Sequence, residues 1–160
     1  MPFKIYLAKI TAALKQGDAT EHTHRPALKE LLESLESDLL ATNEPKRIAC
    51  GAPDYIVLRK NVPLGYVEAK DVGKKLDDIE GDEQLKRYRK SLRNLILTDY
   101  LEFRLYRNGE PVQVASLGNG CKPTLVLLHL KTSTVMGLDS NSALNWTVQQ
   151  GPSSAVGCPL

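Results

Sequence analysis

The stretch "GAPDYIVLRKNVPLGYVEAKD", residues 51–71, sets two runs rich in β-branched and aromatic residues, "DYIVLR" and "LGYVEAK", on either side of "KNVP". Runs of this kind bounded by Gly, Pro and Asn read as strands joined by tight turns. "RIAC", residues 47–50, adds a third short strand ahead of them. The same stretch places charge where a sheet offers few partners: Asp54 opens one strand, and Glu68, Lys70 and Asp71 close the next.

On the amino-terminal side, Phe3, Tyr6, Leu7, Ile10, Ala13 and Leu14 recur with helical period, and Gly17 follows where a helix stops. A second helix carries Leu28, Leu31, Leu32, Leu35 and Leu39 on one stripe, with Pro26 in its first turn; "ATNEPKR" ends it, because the residue before Pro45 is disfavoured in helical geometry. On the carboxyl side, the polar "DVGKKLDDIEGDE" leads into "QLKRYRKSLR", which is rich in helix formers. "NLILTD" reads as a buried strand. "LEFRLYR" and "EPVQVASL" form a hairpin around Asn108-Gly109, a pair that readily supplies the positive φ angles of a type I′ turn. The predicted fold class is α/β (α+β), a mixed central sheet flanked by helices. From Gly118 onward the chain is Ser/Thr/Gly-rich and almost uncharged, so one domain is expected over residues 1–116, with an extension over 117–160 in which "TLVLLHL" is a further strand or helix turn.

With 160 residues, 42% hydrophobic and 25% charged, the chain has enough apolar material for one folded domain. A net charge of +2 names no nucleic-acid or membrane partner by itself, and the local distribution is more informative: Lys86, Arg87, Arg89, Lys90 and Arg93 cluster in one predicted helix. No apolar run approaches the roughly 20 residues of a membrane span, and Lys4, Lys9 and Lys15 break the amino terminus, so a cytoplasmic location without a membrane partner is expected. Cys50, Cys121 and Cys158 have neither disulfide nor zinc spacing and read as reduced thiols.

Residues two apart on a strand share a face, which makes Glu68 and Lys70 neighbours. In the hairpin, Asp54 falls opposite Glu68 or one pair removed. Two carboxylates about 4 Å apart repel by roughly 4 kcal/mol at an effective dielectric near 20, so the pair requires a proton or a cation. Lys70 supplies one positive charge; a divalent ion supplies more. Mg²⁺ is commonly held by one or two carboxylates together with substrate phosphate oxygens and water, an arrangement suited to in-line hydrolysis of a phosphodiester. Taken singly, Glu-x-Lys is an ordinary surface ion pair worth about 0–1 kcal/mol and Pro-Asp an ordinary turn. Their combination, followed by a basic helix, points to function.

Pro53-Asp54 followed by Glu68-Ala69-Lys70 resembles the PD-(D/E)xK motif of restriction-endonuclease-like nucleases, and Gln84-x-x-x-Tyr88 resembles a motif that follows it in several branches. With "DATEHTHRPALKELLE" and "ILTDYLEFRLYRNG", residues 1–116 are similar to the amino-terminal nuclease domain of large single-chain restriction-modification enzymes. The resemblance implies an αβββαβ core, Mg²⁺ (or Mn²⁺ in its place) as cofactor, and DNA as substrate. It implies that Asp54 and Glu68 bind the metal, that the Ala69 carbonyl adds a ligand, and that Lys70 is the catalytic lysine with Gln84 reaching toward it. Glu21 is the candidate for a further metal-binding acid from the first core helix, with Glu30 the weaker choice. Further implied partners are helicase, methyltransferase or specificity domains of a longer parent chain, and a second copy in a homodimer.

Lys86, Arg87, Lys90 and Arg93, with Tyr88 among them, are the candidate DNA-contacting residues; a merely solvated basic face is the competing reading. His22 and His24 lack partners at zinc-ligand spacing and read as capping or exposed residues, and His129 as a core histidine. "GNG" near residue 118 lacks the Lys-Ser/Thr of a phosphate-binding loop, so no ATP use is expected. The function expected is Mg²⁺-dependent DNA endonuclease in a prokaryotic restriction-modification system; the alternative is a non-catalytic nucleic-acid-binding or assembly module with the same fold.

Overall fold

The structure, a computed structural model, describes residues 2–117. Helices α1 (Pro2–Gln16) and α2 (Glu21–Ser34) precede strands β1 (Leu39–Asn43), β2 (Tyr55–Arg59) and β3 (Val62–Ala69). Helices α3 (Leu76–Glu80) and α4 (Glu83–Ser91) then lead to β4 (Asn94–Thr98), β5 (Glu102–Arg107) and β6 (Glu110–Ser116). The six strands form one sheet in sequence order, antiparallel throughout except for the parallel pair β3 and β4. A parallel pair needs a crossover, and α3 and α4 provide it. The αβββαβ core predicted from the sequence is thus present in α2, β1–β3, α4 and β4, within a mixed sheet flanked by helices.

Strand alternation divides the interior into two cores. Ile96 belongs to the cluster with Tyr6, Ile10, Leu28, Leu31 and Leu32 of α1 and α2, whereas its neighbours Leu95 and Leu97 join Leu76, Ile79, Leu85 and Tyr88 of α3 and α4. Leu28 is wholly buried, a burial worth about 1.5–3 kcal/mol. Three tyrosine hydroxyls fasten the first layer: Tyr6 donates to the Tyr100 carbonyl at 2.7 Å, Tyr55 to that of Arg25 at 2.8 Å, and Tyr100 to that of Glu21 at 2.8 Å. The last two bonds pin to the sheet the turn of α2 that carries Glu21 and Arg25.

Two hairpins turn on paired positive φ angles. Asn108 and Gly109 stand at 51° and 85°, as expected, and Lys60 and Asn61 make the β2–β3 turn at 47° and 66°. Several expectations are corrected. "RIAC" forms no strand, only an isolated bridge between Ile48 and Gly51. The first strand is instead Leu39–Asn43, which pairs with β2, so Leu39 belongs to the sheet and not to the helix stripe. Helix α2 starts at Glu21, which moves Pro26 out of the first turn into the helix interior. The polar stretch before α4 holds the short helix α3, anchored by buried Leu76 and Ile79. Cys50 is a free thiol; Cys121, Cys158, His129 and nearly all of the 117–160 extension lie outside the described residues.

Candidate functional site

The β2–β3 hairpin register pairs Tyr55 with Val67, which carries the preceding Asp54 to a position beside Glu68 and Ala69. The link is direct: Asp54 Oδ2 accepts the Ala69 amide at 2.8 Å. Its other oxygen, Oδ1, accepts from Arg25 Nη2 at 2.6 Å. Burial raises the Asp54 carboxyl above its ordinary range, while the Ala69 amide and the Arg25 charge pull it back.

Glu68 is 4% exposed. Its Oε1 accepts from Lys70 Nζ at 2.7 Å and from Gln84 Nε2 at 3.1 Å. Oε2 is buried and without a hydrogen-bond partner. An orphaned carboxylate oxygen in a low-dielectric interior is costly and calls for an ion or a proton. Burial, assisted by the Asp54 charge and opposed by the Lys70 bond, pushes the Glu68 carboxyl up to about 7. Burial alone would lower the Lys70 ammonium, but the bond to Glu68 and the charges of Asp54 and Glu21 carry it above the usual lysine range. Lys70 lies just beyond β3, and its amide donates to the Thr98 carbonyl at 2.8 Å, continuing the parallel pairing with β4. A small pocket of about 10 Å³ beside this cluster is lined by Glu68, Lys70, Ile79, Asp82, Gln84 and Leu85.

Helix α4 supplies Gln84 one turn before Tyr88, and the Gln84 amide nitrogen also donates to the Tyr88 hydroxyl at 3.1 Å. Tyr88 itself is 1% exposed, which corrects its assignment as a DNA contact. Its ring packs against Gly51, where a Cβ would stand 2.8 Å from the ring and where φ is +140°, so both the space and the backbone demand glycine. Lys86, Arg87, Lys90 and Arg93 are all exposed. Lys86 pairs with Glu83 at 2.8 Å, and Arg87 Nε approaches the Cys50 carbonyl at 3.4 Å.

The chain superposes on a chain from a cryo-electron microscopy structure of a DrdV–DNA complex, with a TM-score of 0.68 and 26% identity. The match covers 81% of this chain and 96% of the other. No protein-family model and no curated protein matches the sequence.

Glu21 lies in the first turn of α2, and its Oε1 accepts from Arg25 Nη2 at 2.8 Å. Its amide donates to Asp71 Oδ1 at 3.0 Å, so the acid that follows Lys70 caps the helix bearing Glu21. Glu30 is exposed and paired with Lys9, apart from these groups. Among the described residues, no group of three His, Cys, Asp or Glu side chains is arranged to hold a metal ion. His22 is exposed as expected; His24 is not, being 2% exposed with its ring 5.2 Å from that of Tyr100. No described helix is long and apolar enough to cross a membrane.

Sequence reasoning missed Arg25 and Asp71. Arg25 is 6% exposed and binds Glu21, Asp54 and, through Nη1 at 2.7 Å, Glu44. A signal was available: residues 25, 28, 32 and 35 fall on one helical stripe, so an arginine sits in line with three buried or half-buried leucines. A charge in an apolar stripe needs partners, and the acids of this site are those partners.

Proposed function

We propose that the chain is a metal-dependent DNA endonuclease domain that hydrolyses phosphodiester bonds. The observation that carries this reading is the buried Glu68 carboxylate, with one oxygen 2.7 Å from the Lys70 ammonium and the other unpartnered, on the residue adjoining the amide that holds Asp54. Asp54, Glu68 and the Ala69 carbonyl would hold Mg²⁺, or Mn²⁺ in its place, with the remaining positions left to water and phosphate oxygens. The donor set fits a hard cation: all oxygen, two carboxylates, and one oxygen buried without a partner. When bound, such an ion supplies a more acidic water and charge neutralisation at the phosphate.

The chain's own groups do the rest. Lys70 stays an ammonium at neutral pH, so it serves as a donor to the phosphate oxygens rather than as a proton acceptor. Gln84 and Lys70 both hold Glu68 Oε1, which leaves Oε2 as the ligand. In the reaction a water oxygen bonds to phosphorus, a phosphorus–oxygen ester bond breaks, and the products are a phosphate monoester and a hydroxyl. Exposed Lys86, Arg87, Lys90 and Arg93 would meet the DNA backbone. The likeness to a chain from a DrdV–DNA complex supports DNA as the substrate. In this reading residues 1–116 are the nuclease part of a prokaryotic restriction-modification system, target choice lies elsewhere in a longer parent chain, and the partners are its helicase, methyltransferase or specificity domains and a second copy in a homodimer.

Purified protein with Mg²⁺ or Mn²⁺ should nick supercoiled plasmid, and Lys70→Ala should abolish nicking while its circular dichroism spectrum stays unchanged. Undiminished nicking by Lys70→Ala removes the role given to that lysine. Salt-dependent DNA binding with no metal-dependent cleavage would favour a non-catalytic binding module.

A further inference from the structure

The two oxygens of Asp54 point to different partners. Oδ2 is bound by the Ala69 amide at 2.8 Å, on the Glu68 side. Oδ1 is bound by Arg25 Nη2 at 2.6 Å, and the same nitrogen lies 2.8 Å from Glu21 Oε1. One guanidinium nitrogen therefore joins two carboxylates from separate elements. This is the place a second divalent ion would take if Glu21 and Asp54 bridged one.

Arg25 is built into that place. Its side chain is 7% exposed, its second terminal nitrogen is held 2.7 Å from Glu44 Oε1, and its backbone carbonyl accepts the Tyr55 hydroxyl at 2.8 Å. Glu44 is itself brought there by its amide, which donates to the Asp54 carbonyl at 2.8 Å. The only carboxylate oxygen left buried and unpartnered among the described residues is Oε2 of Glu68. Glu21, Asp54 and Glu68 do not converge on one point as a three-acid cage.

We propose that Arg25 is a resident cation in the site: it fills the position between Glu21 and Asp54 that a second metal ion would occupy, so the chain binds one divalent ion and Glu21 serves Arg25 instead of the metal. The inference rests on the metal-binding reading of Asp54 and Glu68 given above. Arg25 is then a positioning residue. It neutralises the Glu21–Asp54 pair without needing metal and keeps Asp54 Oδ2 directed toward β3.

The test is a count of ions. Mn²⁺ is titrated into the metal-free protein by calorimetry, with free Mn²⁺ read by electron paramagnetic resonance, and Mn²⁺-soaked crystals are examined by anomalous scattering. One ion per chain is expected, beside Glu68 and the Ala69 carbonyl, with no anomalous peak between Glu21 and Asp54. A second ion between those two acids overturns the inference and leaves the metal-dependent reading standing; no ion at all overturns both. Arg25→Gln, checked for folding by circular dichroism, should gain a second and weaker Mn²⁺ site, whereas Arg25→Lys should stay at one. A folded Arg25→Gln protein that still binds one ion contradicts the proposal, and if that variant fails to fold the wild-type count decides alone.

Discussion

The Ala69 amide donates to Asp54 Oδ2 across the β2–β3 hairpin at 2.8 Å, so the acid that opens one strand is oriented by the residue between Glu68 and Lys70. The bond separates two roles of Asp54, acceptor and charge. Asp54→Asn keeps an acceptor for the amide but turns an NH2 donor toward Arg25 and removes the charge opposite it, and should cost about 1–2 kcal/mol in urea unfolding. Asp54→Ala leaves both the amide and part of Arg25 without a partner and should cost about 2–3 kcal/mol. Both should lose Mn²⁺ binding by calorimetry. Equal destabilisation by the two variants would show that the hydrogen bond contributes nothing.

Glu68 gives a pH dependence with a defined sign. Its carboxyl is raised from 4.5 to about 7 in the folded chain. Between those values the folded state binds more protons than the unfolded one, so this group's contribution to stability is greatest below about pH 4.5 and falls as pH rises through 7. The shift corresponds to about 3 kcal/mol for a residue that is 4% exposed. Glu68→Gln should therefore unfold at higher urea than wild type at pH 8, with the gap closing toward pH 4.5. Excess Mn²⁺ should close it at pH 8 as well, because the ion takes the place of the proton on the carboxylate. A variant no more stable than wild type at pH 8 without metal contradicts the burial account of Glu68.

The parts of this site that could be read from the sequence are those encoded locally. The β2–β3 and Asn108-Gly109 turns each follow from residues within a few positions of one another, and the Asp54, Glu68 and Lys70 set from the single hairpin that brings positions 14 and 16 apart together. Strand β1 did not, since Leu39 continues the spacing of Leu28, Leu32 and Leu35, and only pairing with Arg59, twenty residues away, makes it a strand. "RIAC" failed for the converse reason: its composition suits a strand, but no neighbouring strand pairs with it beyond the Ile48–Gly51 bridge. Arg25 was passed over because an arginine near a helix start reads as solvated until the acids it meets, 19 and 29 residues further on, are brought beside it. Tyr88 reads as a DNA contact within a basic run, yet the opposing Gly51 gives it a buried slot.

That slot makes its own prediction. Gly51→Ala puts a Cβ 2.8 Å from the Tyr88 ring at a φ of +140°, and should cost about 2–4 kcal/mol in thermal or urea unfolding. Because the Tyr88 hydroxyl holds Gln84, and Gln84 holds Glu68, the variant should also weaken Mn²⁺ binding. Gly81→Ala is the control: nothing lies within 4 Å of its Cβ and its φ is −78°, so it should be neutral or stabilising by up to about 1 kcal/mol. Equal costs at the two positions would dismiss the Tyr88 contact as the reason for glycine at 51.

Helix α4 presents two kinds of residue to be told apart by salt. Lys90 on α4 and Arg93, two residues beyond its end, are exposed, whereas Tyr88 is buried. If the exposed pair contacts phosphates, each contact contributes about 0.9 to the slope of log affinity against log salt. In fluorescence anisotropy with a DNA duplex, the double variant Lys90→Ala and Arg93→Ala should shallow that slope by about 2, whatever the duplex sequence. Tyr88→Phe should leave the slope unchanged, since its hydroxyl is spent on Gln84. A slope unaltered by the double variant would place the DNA on another face, and the basic residues of α4 would then be a solvated surface only.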